Sequence, residues 1–299
     1  MISCALLEEL KKHKIEYKEN FSLKGRTTFR IGGTCKLALF PQNADEIAIC
    51  VSLLDNAEQR LCVIGNASNT LFSDGNLDLG VVFTAGAKNT QITETRIIAE
   101  AGASLPKLSN AACDAGLTGL EFACGIPASV GGAVFMNAGA YGDSMENIVI
   151  KSRAYDRKSG SLVTIESHEF GYRESIYKND RSLVCLEALM ELGKGDSETI
   201  RAKMRELIEN RKQKQPLQYP SAGSYFKRPE GDFAGRLVEV CGLKGARVGG
   251  AMVSEKHAGF IINADNATFN DVMRLEELVI ETVMRQTGVE LKREVEVIE

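Results

Sequence analysis

Hydrophobic residues recur along the chain at helical spacing in some stretches and at alternating spacing in others. The helical stretches predict five helices, with approximate bounds 2–14, 43 or 45 to 56, 105–115, 197–214 and 268–287. Ser104 and the pair Thr268 and Asp271 are typical of helix starts, and Gly116 and Gly288 are typical of helix ends. The second predicted helix can begin at either Asn43 or Asp45, both of which are good capping residues.

Alternating or β-branched stretches predict the strands. Their approximate bounds are 35–40, 61–64, 79–84, 96–101, 148–156, 161–165, 183–192, 259–263 and 289–298. The first two strands flank the second helix and predict a β-α-β unit, and Lys158-Ser159-Gly160 predicts a hairpin turn. Helices and strands therefore intermix, which indicates an α+β or mixed α/β chain with at least two lobes.

One stretch stands apart from this pattern, because residues 122–142 contain no charged side chain and five glycines. Glycine allows a positive φ and a close approach of the backbone to a ligand. With N–H groups free to point outward, such a run suits a large, flat anion such as a dinucleotide. A tightly packed core turn is the alternative, whereas a membrane span is disfavoured by the glycines, Pro127 and Asn137.

A second candidate for a phosphate cradle follows the predicted strand 61–64, where the chain reads Gly-Asn-Ala-Ser-Asn over residues 65–69. It offers backbone N–H groups, the hydroxyl of Ser68 and the amides of Asn66 and Asn69. An ordinary loop remains an equal alternative. The segment lacks the GxGxxG pattern followed by a helix, which argues against a Rossmann fold.

Composition narrows the function classes. The chain has 299 residues, 44% of them apolar and 25% charged. Its net charge of −4 and the spread of Lys and Arg along the chain argue against a nucleic-acid-binding protein, which needs a concentrated basic face. The eight cysteines form no CxxC pair, so we expect no metal site, and the three histidines are expected to be structural or exposed. The start of the chain has no signal-peptide core, from which we expect a cytoplasmic protein with reduced thiols.

Seven separated segments together carry a resemblance to one family. They are RTTFRIGG (26–33), VIGNASNTLFSDG (63–75), GLEFACGIPASVGGAVFMNAGAYG (119–142), YRES (172–175), SAGSYFKRP (221–229), ARVGGAMVSEKHAGFIIN (246–263) and LKREVEVIE (291–299). In this order they resemble the MurB family, the UDP-N-acetylenolpyruvoylglucosamine reductases, also called UDP-N-acetylmuramate dehydrogenases. The short link between Gly171 and Ser175 is similar to the type II branch of that family.

The resemblance implies an FAD enzyme with the PCMH-type fold of the vanillyl-alcohol-oxidase-like flavoproteins. Residues 20–193 would form the FAD-binding domain, with two lobes that divide near residue 84, and residues 194–299 would form a substrate-binding domain. NADPH would reduce the flavin, and the enolpyruvyl sugar nucleotide would then accept the hydride to give UDP-N-acetylmuramate for peptidoglycan. The expected partners are this UDP-sugar and NADPH, with no nucleic acid, no membrane insertion and a monomeric state.

The resemblance also implies three catalytic residues, and each role has a chemical reason. Hydride addition to the enolpyruvyl group places negative charge on the neighbouring carboxylate as an enolate, which Arg173 and Glu294 would stabilise through hydrogen bonds. Ser224 would then donate a proton to C2, although a serine hydroxyl is a weak acid without help from its surroundings. Without the resemblance, Arg173 and Glu294 would be interpreted as ordinary surface charges.

Further contacts follow from the same resemblance. Tyr172 and Lys214 would hold the substrate, and Arg211 would reach the cofactor. The remaining residues expected to bind FAD are Gly65, Asn66, Ala67, Ser68, Asn69, Gly125, Ile126, Pro127, Ala128, Ser129, Gly131, Gly132, Asn137, Gly139, Ala140 and Tyr141.

Four positions depart from the family pattern, namely Ala67, Ala128, Arg228 and Glu296. The two alanines replace frequent glycines, so either these positions are not left-handed here or the loops are shifted. If the arginine usual at position 296 helps to bind flavin, either another cation such as Arg293 replaces it or the affinity for flavin falls. A different FAD oxidase or dehydrogenase on this fold, or a UDP-sugar-binding protein without catalysis, are the alternative functions.

Overall fold

The computed structural model describes residues 2–299 and confirms the five predicted helices. Over this range the α-helices are α1 (Cys4–Lys12), α2 (Ala44–Asn56), α3 (Leu105–Asp114), α4 (Val130–Phe135), α5 (Ile176–Asn179), α6 (Ser197–Lys214), α7 (Ala234–Val240) and α8 (Phe269–Thr287). The Asn43 side chain caps α2, and Thr268 and Asp271 form a reciprocal capping box at the start of α8. Gly288 ends α8 in the left-handed conformation, with φ of 73°.

Each strand predicted in the first two thirds of the chain is present, together with seven further strands there that were not predicted. The strands are β1 (Tyr17–Ser22), β2 (Thr34–Leu39), β3 (Leu61–Ile64), β4 (Thr70–Phe72), β5 (Asn76–Phe83), β6 (Thr90–Thr93), β7 (Arg96–Glu100), β8 (Leu117–Thr118), β9 (Gly139–Ala140), β10 (Asp143–Ser144), β11 (Val149–Asp156), β12 (Ser161–Ile165), β13 (Leu183–Glu191), β14 (Gly193–Lys194), β15 (Arg247–Val248), β16 (Ala251–Val253), β17 (Ile261–Asn263) and β18 (Glu296–Ile298). Gly160, with φ of 65°, lies in the predicted hairpin between β11 and β12.

The predicted strand over residues 289–298 is wrong in length. Only β18 is a strand, and it pairs in parallel with β4. Before it, the chain makes an isolated bridge between Arg293 and Phe226. Leu291 and Val295 are buried in a core, so the alternation in sequence reflects burial of one side of an extended segment rather than a continuous hydrogen-bonded ladder.

The chain divides into two compact units. The first comprises the chain up to Phe21 together with 35–66 and 78–209, and the second comprises 22–34, 67–77 and 210–299. The sequence predicts an FAD domain before residue 194 and a substrate domain after residue 193. This assignment and the lobe division near residue 84 stay predictions.

The first unit is built on two sheets. One sheet has the strand order β1-β2-β5-β3. The two strands of the predicted β-α-β unit, β2 and β3, therefore have β5 between them, and β5 is parallel to β3. The other has the order β12-β11-β13-β7-β6, in which every pair of neighbouring strands is antiparallel. Ile200, Met204 and Leu207 of α6 pack into this unit with Cys113 and Cys124, as their spacing predicts.

The second unit packs the short sheet β15-β16-β17 and helix α7 against α8. Val272, Leu275, Val279 and Val283 form the buried face of α8. Across residues 2–299, no helix is both long enough and apolar enough to cross a membrane.

Ala67 is one of the two alanines at which the chain departs from the family's glycines, and it is left-handed, with φ of 47°. Ala128 is not left-handed. Replacement of the family's glycine therefore strains the backbone at position 67 and not at position 128. Both methyl groups are buried, with 6% and 8% of the residue exposed. The strain at Ala67 is on the order of 1 kcal/mol.

Replacing each alanine by glycine tests this difference. Both changes lose a buried methyl and increase the freedom of the unfolded chain, and only Ala67→Gly relieves strain. We expect Ala128→Gly to lower the free energy of unfolding by about 1 kcal/mol more than Ala67→Gly does. Urea unfolding of both variants measures the difference, and equal losses would show that Ala67 is unstrained.

Candidate active site

The two predicted glycine loops meet within the first unit. A Cβ added at Gly65 would overlap with the hydroxyl of Ser129, so only glycine allows this approach. The side chain of Asn66 donates a hydrogen bond to the carbonyl of Pro127 at 3.2 Å. Residues 65–66 and 127–129 therefore form one surface, although 61 positions separate Asn66 from Pro127 along the chain.

The glycine stretch has a packed part and an open part. The N–H groups of Val130 and Gly131 donate to the carbonyls of Ala103 and Ala101, at 2.9 and 2.8 Å, so the expectation that the N–H groups point outward is wrong for these two residues. A Cβ at Gly131 would lie 2.8 Å from that of Ala101. Gly132 is exposed, although its N–H donates to the hydroxyl of Ser129 at 3.3 Å. Part of the stretch is therefore a packed turn, and ligand binding by the rest stays a prediction.

Arg173 lies in a tight turn of the first unit and is itself left-handed, with φ of 58°. Gly171 and Glu174 close the turn with two main-chain hydrogen bonds of 3.1 and 3.2 Å. The Arg173 guanidinium donates to the carbonyls of Asn137 and Gly139, at 3.4 and 3.1 Å. The predicted catalytic arginine is thus attached to the carbonyl groups of the glycine stretch.

Asn137 fixes this attachment from the other side. Its buried side chain donates to the carbonyl of Gly171 at 2.9 Å and accepts from the N–H of Glu146 at 3.0 Å. The amide of Asn137 therefore positions the turn that carries Arg173. Its role in binding FAD stays a prediction.

A buried polar network supports the same turn. The hydroxyl of Ser152 lies 2.8 Å from Nε2 of His168 and 2.6 Å from the hydroxyl of Tyr177. His168 stacks on Phe170 with a centroid distance of 5.0 Å, and burial lowers the pKa of the imidazole, which favours its neutral form. The expectation that His168 is structural fits this environment.

The second unit brings the other two predicted catalytic residues onto neighbouring segments. Gly223, with φ of 81°, leads into Ser224, whose hydroxyl is exposed and has no hydrogen-bond partner among residues 2–299. The N–H of Glu294 donates to the carbonyl of Tyr225, the next residue, at 2.8 Å. Glu294 is buried, with 9% of the residue exposed.

Residues 67–69, the second half of the Gly-Asn-Ala-Ser-Asn segment, belong to this second unit. The side chain of Asn69 donates to the carbonyl of Glu294 at 3.2 Å, and its carbonyl accepts from the N–H of Glu296 at 2.9 Å. The hydroxyl of Thr28, from the segment RTTFRIGG, donates to the carbonyl of Ser221 at 2.7 Å. These bonds hold the Ser224 and Glu294 segments beside Asn69.

The remaining predicted residues are accessible to different degrees. Tyr172 and Lys214 are exposed and Arg211 is half-buried, whereas the hydroxyl of Tyr141 donates to the carbonyl of Leu207 at 2.9 Å. The guanidinium of Arg228 lies 4.5 Å from the ring centroid of Phe233. Their ligand contacts stay predictions.

Arg293, named as a cation that could replace the arginine usual at position 296, is paired with a carboxylate in the structure, and its contact with flavin stays a prediction. Its guanidinium donates to Glu276 Oε2 at 3.3 Å, and that carboxylate belongs to α8. Glu276 was missed at the sequence level, because one glutamate in an amphipathic helix gives no sign that it is buried.

The residues of the first unit fit an FAD group. The glycine stretch carries no carboxylate that would repel a pyrophosphate. Three of its exposed members, Pro127, Gly132 and Gly142, have little side chain to obstruct a flat ligand, and the hydroxyl of the fourth, Tyr141, bonds to the carbonyl of Leu207. Nothing lies within 4 Å of a Cβ added at Gly142. The close contact of Gly65 with Ser129 would let FAD contact both loops together.

Gly65→Ala tests whether the contact between the two loops matters. Since Ser129 is buried and caps α4, its hydroxyl cannot move aside cheaply, and we expect a loss of about 1–3 kcal/mol in the free energy of unfolding together with weaker FAD retention. Gly25→Ala, where a Cβ meets nothing within 4 Å, is the control. Unfolding curves and the ratio of bound flavin to protein measure the two effects, and retention equal to that of the control would contradict the expectation.

The fold and this surface define an FAD-binding protein. Residues 35–166 match the family described as "FAD binding domain", and residues 215–298 match that described as "UDP-N-acetylenolpyruvoylglucosamine reductase, C-terminal domain". The predicted α+β, PCMH-type FAD-binding fold is thereby confirmed.

Similar proteins extend over nearly the whole chain. A UDP-N-acetylenolpyruvoylglucosamine reductase of Caldanaerobacter subterraneus subsp. tengcongensis is 43% identical over 98% of this chain and 96% of its own length. That of Lactobacillus johnsonii is 43% identical over 98% of both chains. The crystal structure of the enzyme (MurB) from Thermus caldophilus has a TM-score of 0.79 and 32% identity, covering 95% of this chain and 99% of that one. The chain belongs to the UDP-N-acetylenolpyruvoylglucosamine reductase family, as the ordered motifs predict.

Proposed function

We propose that this chain reduces the enolpyruvyl group of UDP-N-acetylenolpyruvoylglucosamine to UDP-N-acetylmuramate, with NADPH as the electron donor, in peptidoglycan precursor synthesis. The observation that carries the proposal is 43% identity over 98% of the chain to a reductase of this substrate. Bound FAD supplies hydride transfer between NADPH and the enolpyruvyl carbon. The protein supplies binding, orientation and the control of charge and protons.

Arg173 and Glu294 act on the charge that develops during this reduction. A guanidinium and a protonated carboxyl group each donate hydrogen bonds that strengthen as the substrate carboxylate becomes an enolate. The Arg173 guanidinium is held by two carbonyls within the first unit, and the Glu294 main chain is fixed by Tyr225 within the second, which supports preorganisation of each residue within its own unit. Preorganised donors stabilise the transition state without reorganising during the reaction.

Ser224 donates the proton that C2 of the substrate requires. Its hydroxyl is exposed and, within residues 2–299, bonds to no other group of the protein, so it can donate to a ligand. The enolate is a much stronger base than the carboxylate from which it forms, which compensates for the weak acidity of the serine. Tyr172 and Lys214 bind the sugar nucleotide, and Arg211 contacts the cofactor.

The proposal includes a monomer that works in the cytoplasm without nucleic-acid partners. All eight cysteines are free thiols, which fits a reducing compartment. Light scattering of the purified protein tests the monomeric state.

The visible absorbance spectrum tests the function directly. The purified protein should be yellow, lose its flavin band when NADPH is added without oxygen, and regain it when the enolpyruvyl sugar nucleotide follows. A colourless protein that FAD cannot reconstitute would overturn the proposal. Reoxidation by oxygen with an alcohol as reductant, and none by the enolpyruvyl substrate, would instead identify another flavin oxidase.

A further inference from the structure

A buried carboxylate of α8 connects the two segments that carry Ser224 and Glu294. Glu276 Oε2 accepts a hydrogen bond from the hydroxyl of Tyr225 at 2.8 Å and another from Nη1 of Arg293 at 3.3 Å. Tyr225 directly follows Ser224, and Arg293 directly precedes Glu294. One oxygen atom therefore holds the immediate neighbours of two proposed catalytic residues.

The main chain reinforces this connection. Tyr225 donates its N–H to the carbonyl of Gly259 at 2.8 Å and accepts from the N–H of Glu294 at 2.8 Å. The next pair along the two segments is also bonded, from the N–H of Lys227 to the carbonyl of Lys292 at 2.7 Å. The register of the two segments decides where Ser224 lies relative to Glu294.

Burial of two aromatic rings and a polar contact together favour this register. Tyr225 and Phe226 are consecutive aromatic residues and both are buried, with ring centroids 5.1 Å apart. A slip by one residue that brought Phe226 to the position of Tyr225 would move Tyr225 to the exposed position of Ser224, and would move Ser224 away from its place beside Glu294. The hydroxyl of Tyr225 distinguishes the rings, because Phe226 has no group that can bond to Glu276.

We propose that Tyr225, Glu276 and Arg293 form a positioning network that fixes Ser224 beside Glu294 for the protonation step, an inference that rests on the function proposed above. None of the three needs to touch substrate or FAD. The network acts by selecting one register of the two segments.

Burial of the Glu276 carboxylate penalises arrangements in which it loses a hydrogen-bond partner. Glu276 is only 6% exposed, and its burial raises its pKa, while the hydrogen bond from Tyr225 and the charge of Arg293 oppose that rise. A buried carboxylate that loses a partner retains the cost of its desolvation. Arrangements that separate Tyr225 or Arg293 from Glu276 are therefore disfavoured.

The test separates the two half-reactions by stopped-flow absorbance, using the flavin-containing enzyme. Tyr225→Phe keeps the ring and removes the hydroxyl, and Glu276→Gln keeps the shape and removes the charge. We expect NADPH to bleach the flavin of both variants within about twofold of the wild-type rate, since positioning of Ser224 is not needed for that step. Reoxidation by the enolpyruvyl substrate should slow about 10- to 100-fold, as expected when a catalytic group is misplaced.

Val283→Ala is the control for lost stability. Val283 is buried on the same helix, two turns after Glu276, and its truncation leaves a cavity without removing any hydrogen-bonding group. This variant should lose at least as much stability as Tyr225→Phe while it reoxidises at the wild-type rate. The double variant Tyr225→Phe/Glu276→Gln should be no slower than the slower single variant, because both changes break one network.

Two outcomes would overturn the inference. One is reoxidation of Tyr225→Phe and Glu276→Gln at the wild-type rate, and the other is equal slowing in Val283→Ala. Failure of the proposed function would give a different result, because the enolpyruvyl substrate would then not reoxidise the flavin of the wild-type enzyme at all. If Tyr225→Phe does not retain FAD, Glu276→Gln decides alone.

Discussion

Ser224→Ala should abolish turnover of the enolpyruvyl substrate while NADPH still bleaches the flavin at the wild-type rate. Ser224 presents an exposed hydroxyl, and its removal takes away the proposed proton donor without creating a cavity. A positioned general acid contributes about 100- to 10,000-fold, so we expect kcat to fall within that range. Steady-state turnover and the bleaching rate, measured on one preparation, give the two quantities.

Ser221→Ala is the matched control. It lies three residues earlier in the same segment, and its carbonyl, which accepts from Thr28, is unaffected by the substitution. Turnover should stay within about threefold of wild type, as for a surface change away from the chemistry. Equal loss of both half-reactions in Ser224→Ala would argue that the residue supports flavin binding and does not donate the proton.

Arg173→Lys should lower kcat about 100- to 1,000-fold, the range for removal of one donor that stabilises developing negative charge. The guanidinium donates to the carbonyls of Asn137 and Gly139, which orients the planar group. An ammonium keeps the positive charge but cannot reproduce this planar geometry. Because both side chains pay the same cost for a left-handed backbone, the comparison isolates the guanidinium.

Arg157→Lys provides the control for Arg173→Lys. Arg157 also lies in the first unit, and its guanidinium donates to Asp55 through Nε at 2.9 Å and Nη2 at 2.6 Å. We expect this variant to lose some stability and to retain its turnover, because the pair has no proposed role in the reaction. A loss of turnover in Arg157→Lys as large as that in Arg173→Lys would remove the case for a catalytic guanidinium.

The sequence identifies Arg173 but does not identify the groups that hold its guanidinium and its turn. The motif YRES identifies the arginine through the family resemblance. The carbonyls that accept from its guanidinium belong to Gly139 and Asn137, which lie 34 and 36 positions earlier. The buried side-chain amide of Asn137 also donates to Gly171 in the turn that carries the arginine. A hydrogen bond between segments so far apart leaves no local periodicity from which it could be predicted.

Glu276 illustrates the same limit in the second unit. Its helix was predicted from hydrophobic spacing and from the capping residues Thr268 and Asp271, all of which lie within a few turns of one another. The partners of Glu276 lie 51 and 17 positions away. The amphipathic pattern therefore predicts the helix and does not reveal that one acidic residue is buried in it.

The sequence by itself determined the five longest helices, nine of the eighteen strands and the family, because caps, turn glycines, hydrophobic spacing and ordered motifs are local. Tertiary structure decided which glycines pack and which are open, that Ala67 is left-handed while Ala128 is not, and that the last segment joins β4 only at β18. It also decided that Gly65 meets Ser129 and that Glu276 joins Tyr225 to Arg293. These features depend on atoms that are distant in the chain, so their energies exist only once the chain has folded.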